Sequence, residues 1–268
     1  DLLSHLKVNG HQLRESIRNQ SYKPMPVKRV EIPKDNGSKR KLGIPTVTDR
    51  MIQQAAAQVL TPIYERKFHT NSYGFRPGKS AQQAVLKAAE YMNEGYNWVV
   101  DIDLEKFFDT VEHDKMISIL NKEIKDGKTL SLIRKFLVSG VMVGEQMEET
   151  EIGTPQGGNI SPLLANILLN ELDWELESRG LRFVRYADDC IILVRSEKAA
   201  IRVMKSVTKY IENVLRLKVN KDKSRIGRPT EIQYLGFAFY YQFQEKKYRM
   251  KVPKKSLDKV MKKVRELT

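Results

Sequence analysis

Apolar positions recur at helical spacing over several long stretches of the chain and cluster at strand-like density in several shorter ones. "DRMIQQAAAQVLTPIYERKF" (49–68) and "SAQQAVLKAAEYMNEG" (80–95) predict helices, the second with Ser80 as N-cap. "HDKMISILNKEIKDG" and "LSLIRKFLVSG" predict shorter ones. "NISPLLANILLNELDWELESRG" predicts a long helix, capped around Asn159 or Ser161 and closed by Gly180. "EKAAIRVMKSVTKYIENVLRL" and the terminal "PKKSLDKVMKKVRELT" are also helical in spacing. Strands are expected at "NWVVDIDL", at the two halves of "RFVRYADDCIILV", at "LKVNKDKSRIG" and in the hairpins of "IQYLGFAFYYQFQEKKYRMKV". The chain up to about Arg76 is basic and broken by Pro24, Pro26, Pro33, Pro45 and Pro62. Within it "VKRVEIPKDNGSKRKLGIP" predicts two strands around a turn at Asn36-Gly37.

From Asn97 onward the order is strand, helices, hairpin, helix, strand. That is the split βαββαβ pattern of a ferredoxin-like antiparallel sheet, and it makes the fold class α+β. One stretch conflicts with simple burial: Asp188 and Asp189 stand side by side inside an apolar, β-branched run. Adjacent carboxylates repel, and burying either without a partner is costly. The conflict dissolves if the two strands reverse there, because a tight turn can carry both. "VVDIDLEKFFD" supplies a second acidic cluster of Asp101, Asp103 and Asp109. In a ferredoxin-like sheet the first strand lies beside the central hairpin, so Asp103 and the Asp188–Asp189 turn should meet on one sheet edge. Carboxylates that close repel unless divalent cations neutralise them, and hard oxygen ligands suit Mg²⁺. Two such ions stabilise the attacking and leaving oxygens in phosphoryl transfer.

Composition narrows the class further. The 268 residues are 41% hydrophobic, enough for a core, and no apolar run is long enough to span a membrane. The N-terminus has neither the basic lead nor the apolar core of a signal peptide. It also lacks a Met start, so a fragment of a longer protein is expected. A single cysteine, Cys190, excludes an internal disulfide framework and fits a reducing compartment. His5, His11, His69 and His113 give no zinc spacing. Lys and Arg number 47 against 33 Asp and Glu, a net charge of +14, which favours a polyanionic partner, nucleic acid ahead of membrane.

Seven blocks, in order, carry a resemblance: "KRKLGIP", "FRPGKS", "DIDLEKFFD", "TPQGGNISPLLANI", "YADD", "LKVNKDKSRIG" and "YLGF". Together they resemble the reverse transcriptase portion of bacterial group II intron-encoded proteins, or maturases. The resemblance implies a right-hand polymerase: fingers over residues 1–95 (76–95 partly packing on the palm), palm over 96–252 with the catalytic sheet and a primer-grip hairpin, and the start of a thumb at 253–268. It implies an RNA-directed DNA polymerase that uses two Mg²⁺ ions, with Mn²⁺ as a substitute. The implied partners are an RNA template with a DNA or RNA primer, dNTPs and the intron RNA itself. Copying of intron RNA during retrohoming, assistance to splicing and a bacterial cytoplasmic location follow from the same resemblance. Two alternatives stay open: a splicing cofactor whose main role is RNA binding, and a retron-type reverse transcriptase.

The family's metal positions fall on Asp103, Asp188 and Asp189, with Leu104 beside the first. Asp101 is the rival for that first place, since alternation puts Asp101 and Asp103 on the same strand face. Asp103 is preferred because Phe108, five residues on, then takes the aromatic position that screens the sugar. Phe107 should turn into the core, and Asp109 should cap or orient the following turn. By resemblance Lys34 and Arg40 contact the triphosphate, Gln156 lies near the nascent pair, and Lys223 matches a lysine that protonates pyrophosphate. Arg76 and Lys79 match template contacts or braces of the fingers, and Tyr234, Leu235 and Gly236 the primer grip. "FRPGKS" is not a Walker loop: that pattern needs a glycine where Tyr73 stands. "FAFYYQF" is read as a buried or dimer-forming hairpin rather than a stacking platform.

Overall fold

The structure is a computed structural model that describes residues 2–33, 37, 39–143, 146–148, 153 and 157–267. In chain order the elements are α1 (Leu2–Arg18), β1 (Val27–Pro33), β2 (Lys39–Ile44), α2 (Val47–Glu65), α3 (Ala81–Asn93) and β3 (Trp98–Ile102). There follow α4 (Phe107–Thr110), α5 (His113–Leu120), α6 (Gly127–Leu137), β4 (Val141–Val143), β5 (Gln146–Glu148) and α7 (Ser161–Ser178). The remainder is β6 (Arg182–Tyr186), β7 (Asp189–Val194), α8 (Glu197–Asn213), β8 (Arg225–Gly227), β9 (Gln233–Tyr234), β10 (Phe237–Gln242), β11 (Lys247–Lys251) and α9 (Lys254–Leu267). Ser80 caps α3 in a full capping box with Gln83, the reciprocal pairing that satisfies two end donors at once. The periodicity did not reveal α1, which buries no residue fully and whose half-buried stripe mixes Leu6, Leu13 and Ile17 with Asn9, Gly10 and Ser16. It also missed β4 and β5, three residues each and too short to alternate visibly.

The chain forms two compact units, each stitched from two segments: 1–67 with 106–168, and 68–105 with 169–268. In the first unit β1 and β2 pair antiparallel, from Lys28 opposite Ile44 to Pro33 opposite Lys39. The predicted reversal at Asn36-Gly37 lies largely outside the described residues. β4 pairs parallel with β1 and antiparallel with β5, giving the order β2-β1-β4-β5. Buried Asp49 of α2 accepts from the Tyr22 and Thr46 hydroxyls at 2.6 Å each, which ties the segment after α1 to this helix.

The second unit holds the sheet that matters for function, in the order β6-β7-β3-β8, with every neighbouring pair antiparallel. This is the ferredoxin-like order expected from the sequence. Val99, Val184, Ile191 and Leu193 share one face and pack with Ala84, Val85, Ala88 and Met92 of α3, and with Tyr234 and Phe239 of the β9–β10–β11 sheet. On the other face Arg185 and Cys190 are cross-strand partners, and Asp173 of α7 meets Arg185 there. Helices therefore pack on both faces, α3 on one and α7 on the other. The unbroken apolar run Cys190–Val194 has that cause: a strand buried on both sides does not alternate.

Candidate active site

β6 and β7 are joined by a two-residue turn, Ala187-Asp188, because Tyr186 pairs with Asp189 across the hairpin. Ala187 takes φ 56°, the left-handed region needed at the first position of such a turn. The reversal lifts Asp188 and Asp189 to the end of the sheet while Cys190 behind them is buried. Asp103 follows β3 directly. Its N–H donates to the Ser224 hydroxyl at 3.0 Å, and its carbonyl accepts from Asn220 N–H at 2.8 Å. Leu104 is buried and bridges Val219, so the chain segment carrying Asp103 is pinned against the loop before β8.

The strand register brings these carboxylates to one edge: Ile102 pairs with Cys190, so Asp103 leaves β3 beside the Asp188–Asp189 turn. Loss of water, and then the charges of Asp188, Asp101 and Asp103, push the Asp189 carboxyl up to about 6, while Lys223 opposes them. The Lys223 ammonium lies 3.6 Å from Asp103 Oδ2. Asp101 is opposite Arg225 and 3.4 Å from its Nε. Burial raises the Asp101 carboxyl, Arg225 counters this, and Asp103 adds to it. Each of these two carboxylates thus has a cation beside it, Arg225 at Asp101 and the more exposed Lys223 at Asp103. Among the described residues no three His, Cys, Asp or Glu side chains form a ready-made metal cage. The donor set still fits a hard divalent ion: oxygen only, with mutual repulsion that a cation would relieve.

Other residues singled out by the sequence are spread over both units. In the second unit Arg76 donates from Nη1 to the carbonyls of His69 and Ser72, at 2.6 and 2.7 Å, and lies over the Phe68 ring. Lys79 lies over the Tyr73 ring and 3.4 Å from Thr70 O. Tyr234 is a core residue whose hydroxyl donates to Val184 O at 3.2 Å, and to Asp189 O at 3.5 Å. Leu235 and Gly236, both with positive φ, form the tip of the β9–β10 hairpin. In "FAFYYQF" Ala238 and Phe239 are buried, whereas Phe243 is 83% exposed.

In the first unit Arg40 is exposed on β2 opposite Ile32, while Lys39 pairs with Glu31 at 2.7 Å. Phe107 is buried and Phe108 is half-buried, ring against ring at 76°. Asp109 is exposed and its backbone leaves no room for a side chain at Gly153. A Cβ on Gly157 would come within 2.9 Å of Gly43 O, so at least that glycine has an internal packing reason. Lys34 and Gln156 lie outside the described residues.

Sequence reasoning missed Arg185. It is wholly buried, with Nε and Nη2 on the two oxygens of Asp173 at 2.7 and 2.6 Å. The signal was available: an arginine flanked by strand residues that read as core needs a buried counter-ion, and "NELDWELES" offers one.

A ferredoxin-like sheet whose turn edge gathers carboxylates has the layout of a metal-dependent phosphoryl-transfer centre. Residues 32–239 match the family described as "Reverse transcriptase (RNA-dependent DNA polymerase)", and the chain belongs to that family. Protein YkfC of Escherichia coli K12 is 33% identical over 276 residues, covering 89% of this chain and 71% of that protein. Group II intron-encoded protein LtrA of Lactococcus lactis is 36% identical over 289 residues, covering 83% of this chain and 48% of LtrA. The chain thus spans about half of that longer relative. Among solved structures, telomerase from Candida albicans, in complex with a fragment of telomeric RNA, shares the fold with a TM-score of 0.60 at 14% identity. The match covers 82% of this chain and 44% of that one. Members of this family generally use divalent metal ions. No described helix is long and apolar enough to cross a membrane.

Proposed function

We propose that the chain is the polymerising core of a group II intron-encoded protein, which copies intron RNA into DNA in the bacterial cytoplasm. The observation that carries this is the gathering of Asp103, Asp188 and Asp189 on one edge of the sheet. In this reading residues 1–95 are the fingers, 96–252 the palm and 253–268 the start of a thumb. Asp103, Asp188 and Asp189, with the Leu104 carbonyl, would hold two Mg²⁺ ions, Mn²⁺ substituting. When bound, the ions supply Lewis-acid activation of the primer 3′-hydroxyl and charge neutralisation at the pyrophosphate.

The chain's own groups hold and orient the reactants. Lys223, now beside Asp103, trades that partner for a phosphate and gives a proton to the leaving pyrophosphate. Arg225 keeps Asp101 occupied, which leaves Asp103 as the free carboxylate at this end of β3. Lys34 and Arg40 contact the triphosphate, Arg40 with the fork that suits phosphate oxygens. Phe108 fills the space of a ribose 2′-hydroxyl, and Gln156 lies by the nascent pair. Arg76, Lys79 and the Tyr234–Gly236 hairpin serve template and primer through the backbone they fix.

The charge of +14 supports a second role, binding of the intron RNA that assists splicing. The test is extension of oligo(dT) on poly(rA) with Mg²⁺, beside intron-RNA binding over a salt series. Extension that needs the divalent ion supports the polymerase. RNA binding that falls linearly on a log–log salt plot, without extension, leaves a splicing cofactor in its place.

A further inference from the structure

We propose that Arg185 is the positioning residue of the acidic turn: its buried guanidinium holds Ala187-Asp188 in the one orientation that presents both carboxylates to the metal ions. The inference rests on the polymerase reading of that edge. Arg185 uses its fork in three directions at once. Nε and Nη2 take both oxygens of Asp173 from α7, Nη2 also reaches Ser72 Oγ at 2.7 Å, and Nη1 donates to the Ala187 carbonyl at 2.8 Å. The Ala187 carbonyl is the last acceptor before Asp188, so a donor fixed there sets the plane of the peptide that carries the first carboxylate.

The backbone tightens the same joint. Arg185 N–H donates to Asn71 O at 2.9 Å, and its carbonyl accepts from Tyr73 N–H at 2.8 Å, so Ser72 meets β6 in a single parallel bridge. One residue further, Gly74 lies against the turn itself. A Cβ there would come within 2.2 Å of Ala187 N and 2.9 Å of the Tyr186 carbonyl carbon. Only glycine admits the turn so close, which gives "GFRPG" a structural purpose in "YADD".

A clamp of this kind answers a specific difficulty. Asp188 and Asp189 repel each other and, near Asp101 and Asp103, would swing apart in the absence of a cation. An apolar plug could fill the space of Arg185, and buried ion pairs seldom contribute more stability than such a plug. It could not hold a carbonyl in a fixed direction. Asp173 completes the device by cancelling the guanidinium charge, so that the brace does not itself become the counter-ion of the turn.

The experiment compares wild type, the paired variant Arg185→Met/Asp173→Leu, Arg185→Lys, Gly74→Ala and Asp188→Asn. Each is measured for melting temperature, for Mn²⁺ binding by the loss of the free-ion EPR signal, and for kcat and KM in primer extension. The paired variant removes the charges together, so it should melt close to wild type. Its Mn²⁺ half-saturation should rise about tenfold and kcat fall about 10–100-fold, on the scale of changes behind metal ligands, with KM for dNTP within about twofold. Arg185→Lys, keeping one donor, should fall between. Gly74→Ala leaves the ion pair intact but pushes on Ala187 N, and should raise the Mn²⁺ midpoint as well.

A folded paired variant with wild-type Mn²⁺ binding and kcat would overturn the proposal and leave Arg185 a packing residue. If the paired variant does not fold, an unshifted Mn²⁺ midpoint in Gly74→Ala overturns it equally. Asp188→Asn separates the two levels. Wild-type extension in that variant would mean the reading of the acidic edge has failed, whereas its inactivity beside an unaffected paired variant would reject the brace alone.

Discussion

Two antiparallel strand pairs carry the chemistry assigned to this chain, and they are built in opposite ways. The β1–β2 pair is basic and mostly exposed. Of its residues Val27 and Gly43 are buried, and Arg40, Lys39 and Lys41 stand in solvent. The β6–β7 pair is buried on both faces, with the full-length apolar run Cys190–Val194 at its centre. The difference teaches what each ligand demands. In the proposed reading the ribbon meets a triphosphate, a diffuse anion that long cationic side chains can follow, so an exposed pair of strands suffices. A metal ion needs carboxylates held to a fraction of an ångström, and only a packed core supplies that.

The comparison breaks most sharply at the acidic turn. Asp188→Asn should lower primer extension about 10³-fold, about 4 kcal/mol of barrier, while RNA affinity stays near wild type. Steady-state extension and filter binding check it, and normal extension would dissolve the contrast. Next comes the core beneath. Ile192→Ala, fully buried, should cost about 2–5 kcal/mol of stability, whereas Ile32→Ala, 45% exposed on the basic pair, should stay within about 0.5 kcal/mol. Denaturant midpoints decide, and equal losses would mean that the two pairs are equally structural.

Phe107 and Phe108 repeat the contrast within one turn of chain. Phe108→Ala should relax the dGTP-to-GTP efficiency ratio by about 10²-fold, while Phe107→Ala should lower the melting temperature and leave the ratio alone. A reversed outcome shifts the register by one and returns Asp101 to contention. On the basic ribbon, Arg40→Ala should raise KM for dNTP about tenfold at nearly constant kcat, the mark of a ground-state phosphate contact. Lys39→Ala is the smallest effect. Its partner Glu31 is fully exposed, so neither the melting temperature nor KM should move measurably.

How far the sequence could be read follows from the same contrast. The ferredoxin-like order was legible because β3, the β6–β7 hairpin and α8 announce themselves by periodicity, and the two aspartates mark the turn by violating it. Asp103 over Asp101 could be argued only from the spacing to Phe108. The Arg225 partner of Asp101, on which the proposed choice rests, is a cross-strand neighbour invisible in one dimension. For Arg185 only the need for a buried counter-ion was legible, because Ser72, which shares its guanidinium with Asp173, comes from a distant stretch. Tyr234 could equally read as grip or as core, and burial with its hydroxyl on Val184 O makes it core first. α1 escaped because its half-buried face carries Asn9, Gly10 and Ser16 among the leucines, which blurs the pattern.

The position of β3 has a consequence for how the protein comes into being. Val99 pairs with Leu193 on one side and with Gly227 on the other, both far downstream. A strand made early must therefore wait with both edges open until β7 has been synthesised, and with one edge open until β8 follows. Closing such long loops is slow, and open edges invite association with other strands. Chains that terminate before Gly227 leave β3 half-paired, with Asp103 at the end of an unfinished ribbon, and would be expected to aggregate or be degraded rather than to accumulate as partial enzymes.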